Sequence, residues 1–284
     1  MQLTPTKLKQ LCKECGLIPS KKYGQNFLIS DAPIHKMIEA ADVRKGDTVI
    51  EIGPGFGVLT FELAQRGAHV KAFEIERRLE QYWDERLKDF KITRLDNETG
   101  DIEIIWGDVL SLITYHVSRI KNYKVIANLP YQITSHILRV LLELEHKPES
   151  ITVMVQKEVA ERIVAKPGDM SLLSLSVQYY GEPKIVCKVP KGNFWPMPAV
   201  DSAVVHILIR EQGTGNRDFN QRFFEIARIG FANKRKQLAK NLADGLKRDK
   251  LQMESFLKEI IDNEKARAQE LNVQQWITLA KKLT

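Results

Sequence analysis

Cysteine is scarce in this 284-residue chain: Cys12, Cys15 and Cys187 are the full complement. So low and odd a count excludes a secreted disulfide scaffold. Cys12 and Cys15 form a C-x-x-C, but no second pair completes the roughly four ligands of a structural zinc site, so chance spacing and no metal are expected. No apolar run approaches the ~20 residues of a membrane-crossing helix, which leaves a membrane out of the expected partners. The start, Met1-Gln2-Leu3-Thr4-Pro5-Thr6-Lys7, lacks an apolar signal core, so a cytoplasmic protein is expected. There is no internal repeat and no low-complexity tract. Negative charge is in deficit, with 36 Asp and Glu against 43 Lys and Arg, a net +7. Over residues 211–284, 15 basic residues face 10 acidic ones, so most of the excess lies in the last quarter. A basic segment joined to an enzyme-like body suggests a polyanionic partner; charge alone fits a solvated helical surface equally well.

What is present is a globular composition, 43% hydrophobic and 28% charged, long enough for one large core and a smaller one. Residues 1–30 read as a polar lead-in, followed by a helix from Asp31-Ala32-Pro33, where an N-cap residue precedes an early proline. Strand and helix patterns then alternate. Strands are expected at Thr48–Ile52, Val70–Glu74, Ile102–Trp106 and Lys124–Ala127, with helices at Val58–Gln65 and Arg77–Phe90. This βαβ alternation predicts an α/β fold with a doubly wound, mostly parallel sheet. The polar stretch Leu95–Asp101 reads as a surface loop. Further strands are expected at Ser150–Gln156, Leu173–Tyr180 and Ser202–Arg210. A linker, Glu211–Asn216, then leads into a smaller helical domain with helices at Phe219–Phe231, Lys236–Leu246, Gln252–Ile261, Ala266–Leu271 and Val273–Leu283. The expected domains are therefore residues 1–210 and 211–284.

The first strand runs into Glu51-Ile52-Gly53-Pro54-Gly55-Phe56-Gly57. Alternate glycines such as Gly53 and Gly55 let the backbone turn sharply and approach a ligand closely. The dinucleotide pattern G-x-G-x-x-G needs glycine at position 58, where Val58 stands. Glu74, at the next strand end, is placed to accept hydrogen bonds from the ribose hydroxyls of an adenosine-containing cofactor. Asp108, after the third strand, can accept from its adenine amine. Both acids can equally serve as helix caps. The loop alone leaves a nicotinamide dinucleotide and S-adenosylmethionine open.

Asn128-Leu129-Pro130-Tyr131 follows the apolar run Val125-Ile126-Ala127. Ligands of open α/β sheets bind at the carboxyl ends of strands, so the tetrad stands where chemistry is expected. It offers a side-chain amide, backbone carbonyls and an aromatic face, groups suited to a flat base bearing an exocyclic amine.

Taken in order, Lys21–Leu28, Glu51–Gly57, Glu74, Gly107-Asp108-Val109-Leu110, Asn128–Tyr131, Val155–Arg162, Phe194–Ser202 and Phe231–Leu238 resemble the ribosomal small-subunit adenine dimethyltransferases, class I S-adenosylmethionine-dependent methyltransferases with a Rossmann-like fold. The resemblance covers most of the chain. It implies that Asn26, Leu28, Gly53, Gly55, Glu74, Asp108 and Asn128 bind S-adenosylmethionine. It also implies that Phe194 closes over the target base opposite Tyr131, and that Leu129 and Pro130 complete the catalytic set. The implied substrate is two adjacent adenosines near the 3′ end of small-subunit rRNA in a precursor particle. Lys234, Arg235, Lys236 and Lys240, with Lys247 and Arg248, are expected to contact RNA; Lys21, Lys22 and Arg162 are weaker candidates. A monomer is assumed. The competing readings are a nicotinamide dehydrogenase, a non-catalytic ribosome assembly factor, and a large-subunit rRNA methyltransferase of the antibiotic-resistance type.

Overall fold

The computed structural model describes residues 3–20, 24–93, 100–210 and 217–284. Expectations resting on Lys21 and Lys22, on residues 95–99 of the polar loop and on the linker 211–216 lie outside the described residues. In chain order the elements are α1 (Pro5–Glu14), β1 (Phe27–Leu28), α2 (Ala32–Ala40), β2 (Thr48–Ile52), α3 (Val58–Gln65), β3 (His69–Glu74), α4 (Glu80–Thr93), β4 (Ile102–Trp106), α5 (Val109–Val117), β5 (Lys124–Asn128) and α6 (Thr134–Glu143). They continue with β6 (Ser150–Gln156), α7 (Lys157–Ile163), α8 (Leu172–Tyr180), β7 (Gly181–Val189), β8 (Phe194–Trp195), β9 (Ser202–Ile209), α9 (Arg217–Gly230), α10 (Leu238–Leu246), α11 (Lys250–Ile261) and α12 (Val273–Leu283).

The chain forms two compact units: Met1–Ala160 with Lys184–Ile209, and Glu161–Pro183 with Arg210–Thr284. A single boundary after residue 210 does not describe this division, because Glu161–Pro183 belongs to the second unit. The first unit carries a seven-stranded sheet ordered β4-β3-β2-β5-β6-β9-β7. Its β4, β3, β2, β5 and β6 run parallel, and β9 pairs antiparallel with β6. The central strands are apolar because both faces are covered: Val125, Ile126 and Ala127 of β5 and Ile151, Val153, Met154 and Val155 of β6 are all buried. Strand β4, at one edge, alternates Ile102, Glu103 and Ile104 instead, and its glutamate is exposed.

Three elements depart most from the sequence reading; one is the helix expected at Ala266–Leu271, which is only the short 3-10 turn Ala268–Glu270 because Asn263 and Arg267 turn the chain ahead of it. The lead-in contains α1, started by the Thr4 hydroxyl accepting the Lys7 N–H at 3.2 Å, with Pro5 in the first turn. Its Leu8, Leu11 and Cys12 pack with Phe56, Phe61, Leu79 and Trp83. The expected strand Leu173–Tyr180 is the helix α8. The alternation Leu173, Leu175, Val177, Tyr179 mimics a strand, but Ser171 and Ser174 form a reciprocal cap that nucleates a helix. The strand lies just beyond, as β7.

In the second unit α8 presents Tyr179 and Tyr180 to α9. Tyr179 stacks on Phe223 at 4.2 Å between ring centroids, and Tyr180 on Phe224 at 5.6 Å. Burial of one such side chain stabilises by about 1.5–3 kcal/mol. Trp276 of α12 is buried, donates to the Ala268 carbonyl at 3.3 Å and stacks on Phe231.

Candidate active site

A cavity opens at the carboxyl ends of β2, β3, β4 and β5 in the first unit. It is lined by all seven residues expected to bind cofactor: Asn26, Leu28, Gly53, Gly55, Glu74, Asp108 and Asn128. Each comes from a strand end or the segment that follows one, except Asn26 and Leu28. Those two arrive through β1, which pairs antiparallel with β8, Leu28 opposite Phe194.

The turn after β2 is built by backbone conformation. Gly53 lies at φ 72° with open space where a Cβ would project, so the cavity keeps a bare backbone wall there. Gly57 lies at φ 82° and starts α3; a Cβ there would meet Phe61 at 2.6 Å and Trp83 at 2.8 Å. Glu74 ties this turn to β3. Its Oε2 accepts the Gly55 N–H at 3.0 Å and its Oε1 the Glu76 N–H at 2.8 Å. Each carboxylate oxygen retains a lone pair for a further donor. Burial raises the Glu74 pKa, against the pull of those backbone donors. Asp108 serves in both of the ways the sequence allowed. It caps α5 through the Leu110 N–H at 3.0 Å and also lines the cavity.

Among the lining groups that sequence reasoning did not assign to the site, three bear on its chemistry. Ile75 and Val109 follow the two acids and bring apolar surface to the cavity. Ile75 is half-exposed and lines the cavity next to Glu74. The third is Glu51. It is 2% exposed, and its Oε2 has no hydrogen-bond partner among the described residues. Burial pushes its carboxyl up to about 8; the Thr60 hydroxyl opposes the rise and the charge on Glu74 adds to it. The signal was a lone carboxylate inside the apolar strand Val49-Ile50-Glu51-Ile52.

The tetrad is only partly gathered here. Asn128 and Pro130 line the cavity, with the Asn128 amide nitrogen donating to the Asn26 carbonyl at 3.5 Å. The Pro130 carbonyl already accepts from the Thr134 hydroxyl at 3.0 Å and the Ile133 N–H at 3.3 Å. The side chains of Leu129, Tyr131 and Phe194 are not part of this lining. Leu129 is buried. The Tyr131 hydroxyl bonds the Ser202 hydroxyl at 2.8 Å. Phe194, 3% exposed, sits in the apolar core with Leu28, Ile34 and Val204.

In the second unit Lys234, Arg235, Lys236 and Lys240 are exposed, as are Lys247 and Arg248. Arg162 is exposed on α7. Cys12 is part of the α1 packing, and burial pushes its thiol up to about 11, which leaves it unreactive near neutrality. Among the described residues no group of three or more His, Cys, Asp or Glu could hold a metal ion, and no helix is long and apolar enough to cross a membrane.

A mostly parallel sheet in this order, with a glycine turn after β2 and acids at the ends of β3 and β4, defines a class I methyltransferase. The model of the ribosomal RNA adenine dimethylase family matches residues 19–284. The chain belongs to that family and is a methyltransferase acting on adenine in ribosomal RNA. It is 42% identical over 276 residues to ribosomal RNA small subunit methyltransferase A of Dehalococcoides mccartyi strain CBDB1, covering 94% of this chain and 89% of that protein. The protein of the same name from Bacillus cereus strain AH187 is 35% identical over 285 residues, covering 99% and 96%. Among solved structures, the 23S rRNA methyltransferase ErmE aligns with TM-score 0.72 and 27% identity, over 91% of this chain and 99% of that one. A dimethyladenosine transferase from Plasmodium falciparum aligns with TM-score 0.70 and 25% identity, over 90% and 97%. Family membership implies S-adenosylmethionine rather than the nicotinamide dinucleotide that the loop alone left open.

The cavity fits that cofactor by its own chemistry. It offers two carboxylates at adjacent strand ends, a bare backbone wall at Gly53, and a buried carboxyl at Glu51 whose Oε2, without a partner among the described residues, is complementary to an ammonium group.

Proposed function

We propose that this chain dimethylates the exocyclic amines of two adjacent adenosines near the 3′ end of small-subunit rRNA, within a precursor particle, as a cytoplasmic monomer. The observation that carries the reading is Asn128. It stands at the end of β5 in the same cavity wall as Glu74 and Asp108, with its amide nitrogen turned to Asn26. That orientation leaves its Oδ1 to accept a hydrogen from a substrate amine. Glu74 would hold ribose hydroxyls, Asp108 the cofactor's adenine amine, and Glu51 the ammonium. Asn26, Leu28, Gly53 and Gly55 would wall the cofactor site.

S-adenosylmethionine, when bound, supplies a methyl group already activated on a sulfonium. The protein's task is therefore orientation and a modest electronic change at a poorly nucleophilic amine. Asn128 Oδ1 and one backbone carbonyl would accept the two amine hydrogens. That draws the nitrogen toward a pyramidal shape and stabilises the positive charge that develops on it. Leu129 supplies that carbonyl in this reading, since the Pro130 carbonyl already accepts two hydrogen bonds. No strong general base is needed, because the methylated ammonium is acidic. After one transfer the amine keeps one hydrogen, so the second cycle needs a single acceptor and room for a methyl group.

The base must leave its helical stack, which costs a few kcal/mol. Stacking on Tyr131 would return about 1–3 kcal/mol. Tyr131 is held in place by Ser202. Phe194 would cover the opposite face after turning out of the core, a change of side-chain rotamer.

Two relatives named for the small subunit, at 42% and 35% identity, favour that subunit over the large one. The 23S enzyme at TM-score 0.72 keeps the large-subunit reading as the second. The test is transfer of labelled methyl to unmethylated small subunits, large subunits and naked RNA, with nucleoside analysis. Dimethyladenosine from small subunits is expected, and label only in large-subunit RNA would overturn the assignment. Binding to small subunits without label would support the assembly-factor reading instead. Asn128→Ala should lower turnover about 10²–10³-fold while S-adenosylmethionine affinity changes less. Unchanged turnover would remove Asn128 from the chemistry.

A further inference from the structure

The segment between α9 and α10 places three cations in a row, Lys234, Arg235 and Lys236, all exposed. Among the described residues Lys234 and Arg235 have no acidic partner, and Lys236 reaches Asp244 only at 3.9 Å. The backbone beneath them is strongly constrained. Leu238 N–H donates to the Ala266 carbonyl at 2.8 Å, and Lys236 N–H to the Asn233 carbonyl at 3.1 Å. Asn233 Oδ1 accepts the Arg235 N–H at 3.2 Å.

One buried polar side chain gathers this segment. Asn241, in the first half of α10, is 6% exposed. Its amide nitrogen donates to the Gly230 carbonyl at 2.7 Å and to the Asn233 carbonyl at 3.0 Å. Asparagine is a mediocre helix former, and a buried amide is costly unless its hydrogens are used. Here both are spent on the two ends of the turn that leads into the cations. Alanine or leucine would suit a helix whose face served packing alone.

We propose that Asn241 is a positioning residue for RNA: it fixes the turn Gly230–Asn233 so that Lys234, Arg235 and Lys236 meet a phosphate backbone already ordered. The gain is preorganisation, since long cationic side chains on a fixed backbone lose less freedom on binding. This inference rests on the reading of these cations as RNA-binding groups.

The experiment measures binding of the full-length protein to unmethylated small subunits from about 50 to 200 mM salt. It compares wild type, Asn241→Ala, the triple change Lys234→Ala, Arg235→Ala and Lys236→Ala, and all four together. Asn241→Ala should weaken binding several-fold and lower the log–log salt slope by about 0.7–0.9 for each phosphate that is no longer neutralised. S-adenosylmethionine affinity and turnover at saturating substrate should not change. In the triple background Asn241→Ala should add nothing, because the groups it positions are gone. Met253→Ala, a buried change in α11 away from the turn, controls for general loosening. Wild-type binding and slope in Asn241→Ala, an undiminished effect in the triple background, or the same loss in Met253→Ala would each overturn the proposal. Should Asn241→Ala fail to fold, the isosteric Asn241→Asp, which removes the amide hydrogens given to Gly230 and Asn233, carries the same comparison. A triple variant that binds like wild type would instead sink the RNA reading of the cations themselves.

Discussion

Glu51→Gln should uncouple cofactor binding from pH. Burial pushes the Glu51 carboxyl up to about 8, and its Oε2 has no partner among the described residues. At pH 7 a group with that pKa is protonated in about ten molecules of eleven. An ammonium arriving beside it favours the ionised form, so binding S-adenosylmethionine should release about 0.9 proton at pH 7. The carboxyl loses a proton on binding, so affinity rises with pH and levels off above about 8. Between pH 6 and 7 the gain should be about tenfold, or about 1.4 kcal/mol. This window lies below the titration of the ligand's own amine, near 7.7–8.0. Calorimetry in two buffers with different ionisation enthalpies measures both affinity and proton release. Glu51→Gln keeps the shape of the side chain but cannot ionise, so its affinity should be flat from pH 6 to 7 with no proton released. A flat wild type, or a Gln variant that keeps the wild-type slope, would refute the assignment of the titration to Glu51.

Glu74→Ala should weaken S-adenosylmethionine binding more than tenfold and lower thermal stability together, because the same carboxylate holds the Gly55 N–H. Normal affinity in calorimetry would contradict the ribose role. Gly57→Ala should destabilise by roughly 1–3 kcal/mol in urea melts, since the new methyl meets Phe61 and Trp83 at a positive φ; an unchanged midpoint would reject this packing account. His206, buried on β9 with Nδ1 2.8 Å from the Thr152 hydroxyl, has its pKa held low by burial and then by Lys184 and Lys124. The unfolded chain therefore takes up this proton first, and stability should decline as pH falls below about 6.5. His206→Gln should flatten that decline in urea midpoints between pH 7 and 5, and an identical decline would place the titration elsewhere. Tyr131→Phe should keep most turnover while Tyr131→Ala loses it, a difference that single-turnover methylation can measure.

Legibility in the sequence followed burial. Strands such as β5 and β6, covered on both faces, announce themselves as apolar runs, and α3 and α12 were bounded to the residue. Gly53, Gly55, Glu74, Asp108 and Asn128 could be placed along one cavity from the sequence because a parallel sheet delivers its strand ends to one edge, whereas Asn26 and Leu28, before and on β1, were named only through the family resemblance. Helix α1 was hidden by its lysines, since three buried residues suffice to dock it. Helix α8 was misread because the side chains of its buried face happen to alternate. Glu51 was not singled out in the sequence because what marks it, burial with no partner for its Oε2 among the described residues, is a property of three-dimensional packing. For Phe194 the sequence placed the ring near the right strand but carried no information on its rotamer.

The second unit is assembled from two separate stretches of chain, 161–183 and 210–284. Tyr179 and Tyr180 come from the first, and the phenylalanines they stack on from the second. No single cut can therefore excise either unit intact. A fragment ending at residue 210 would keep α8 with its two tyrosines stripped of their partners, and a fragment beginning at 211 would lack the helix that closes its aromatic cluster. Swapping the basic helical module between relatives requires three crossovers, one on either side of α8 and a third before α9. During synthesis α8 must also wait, partly uncovered, until α9 emerges.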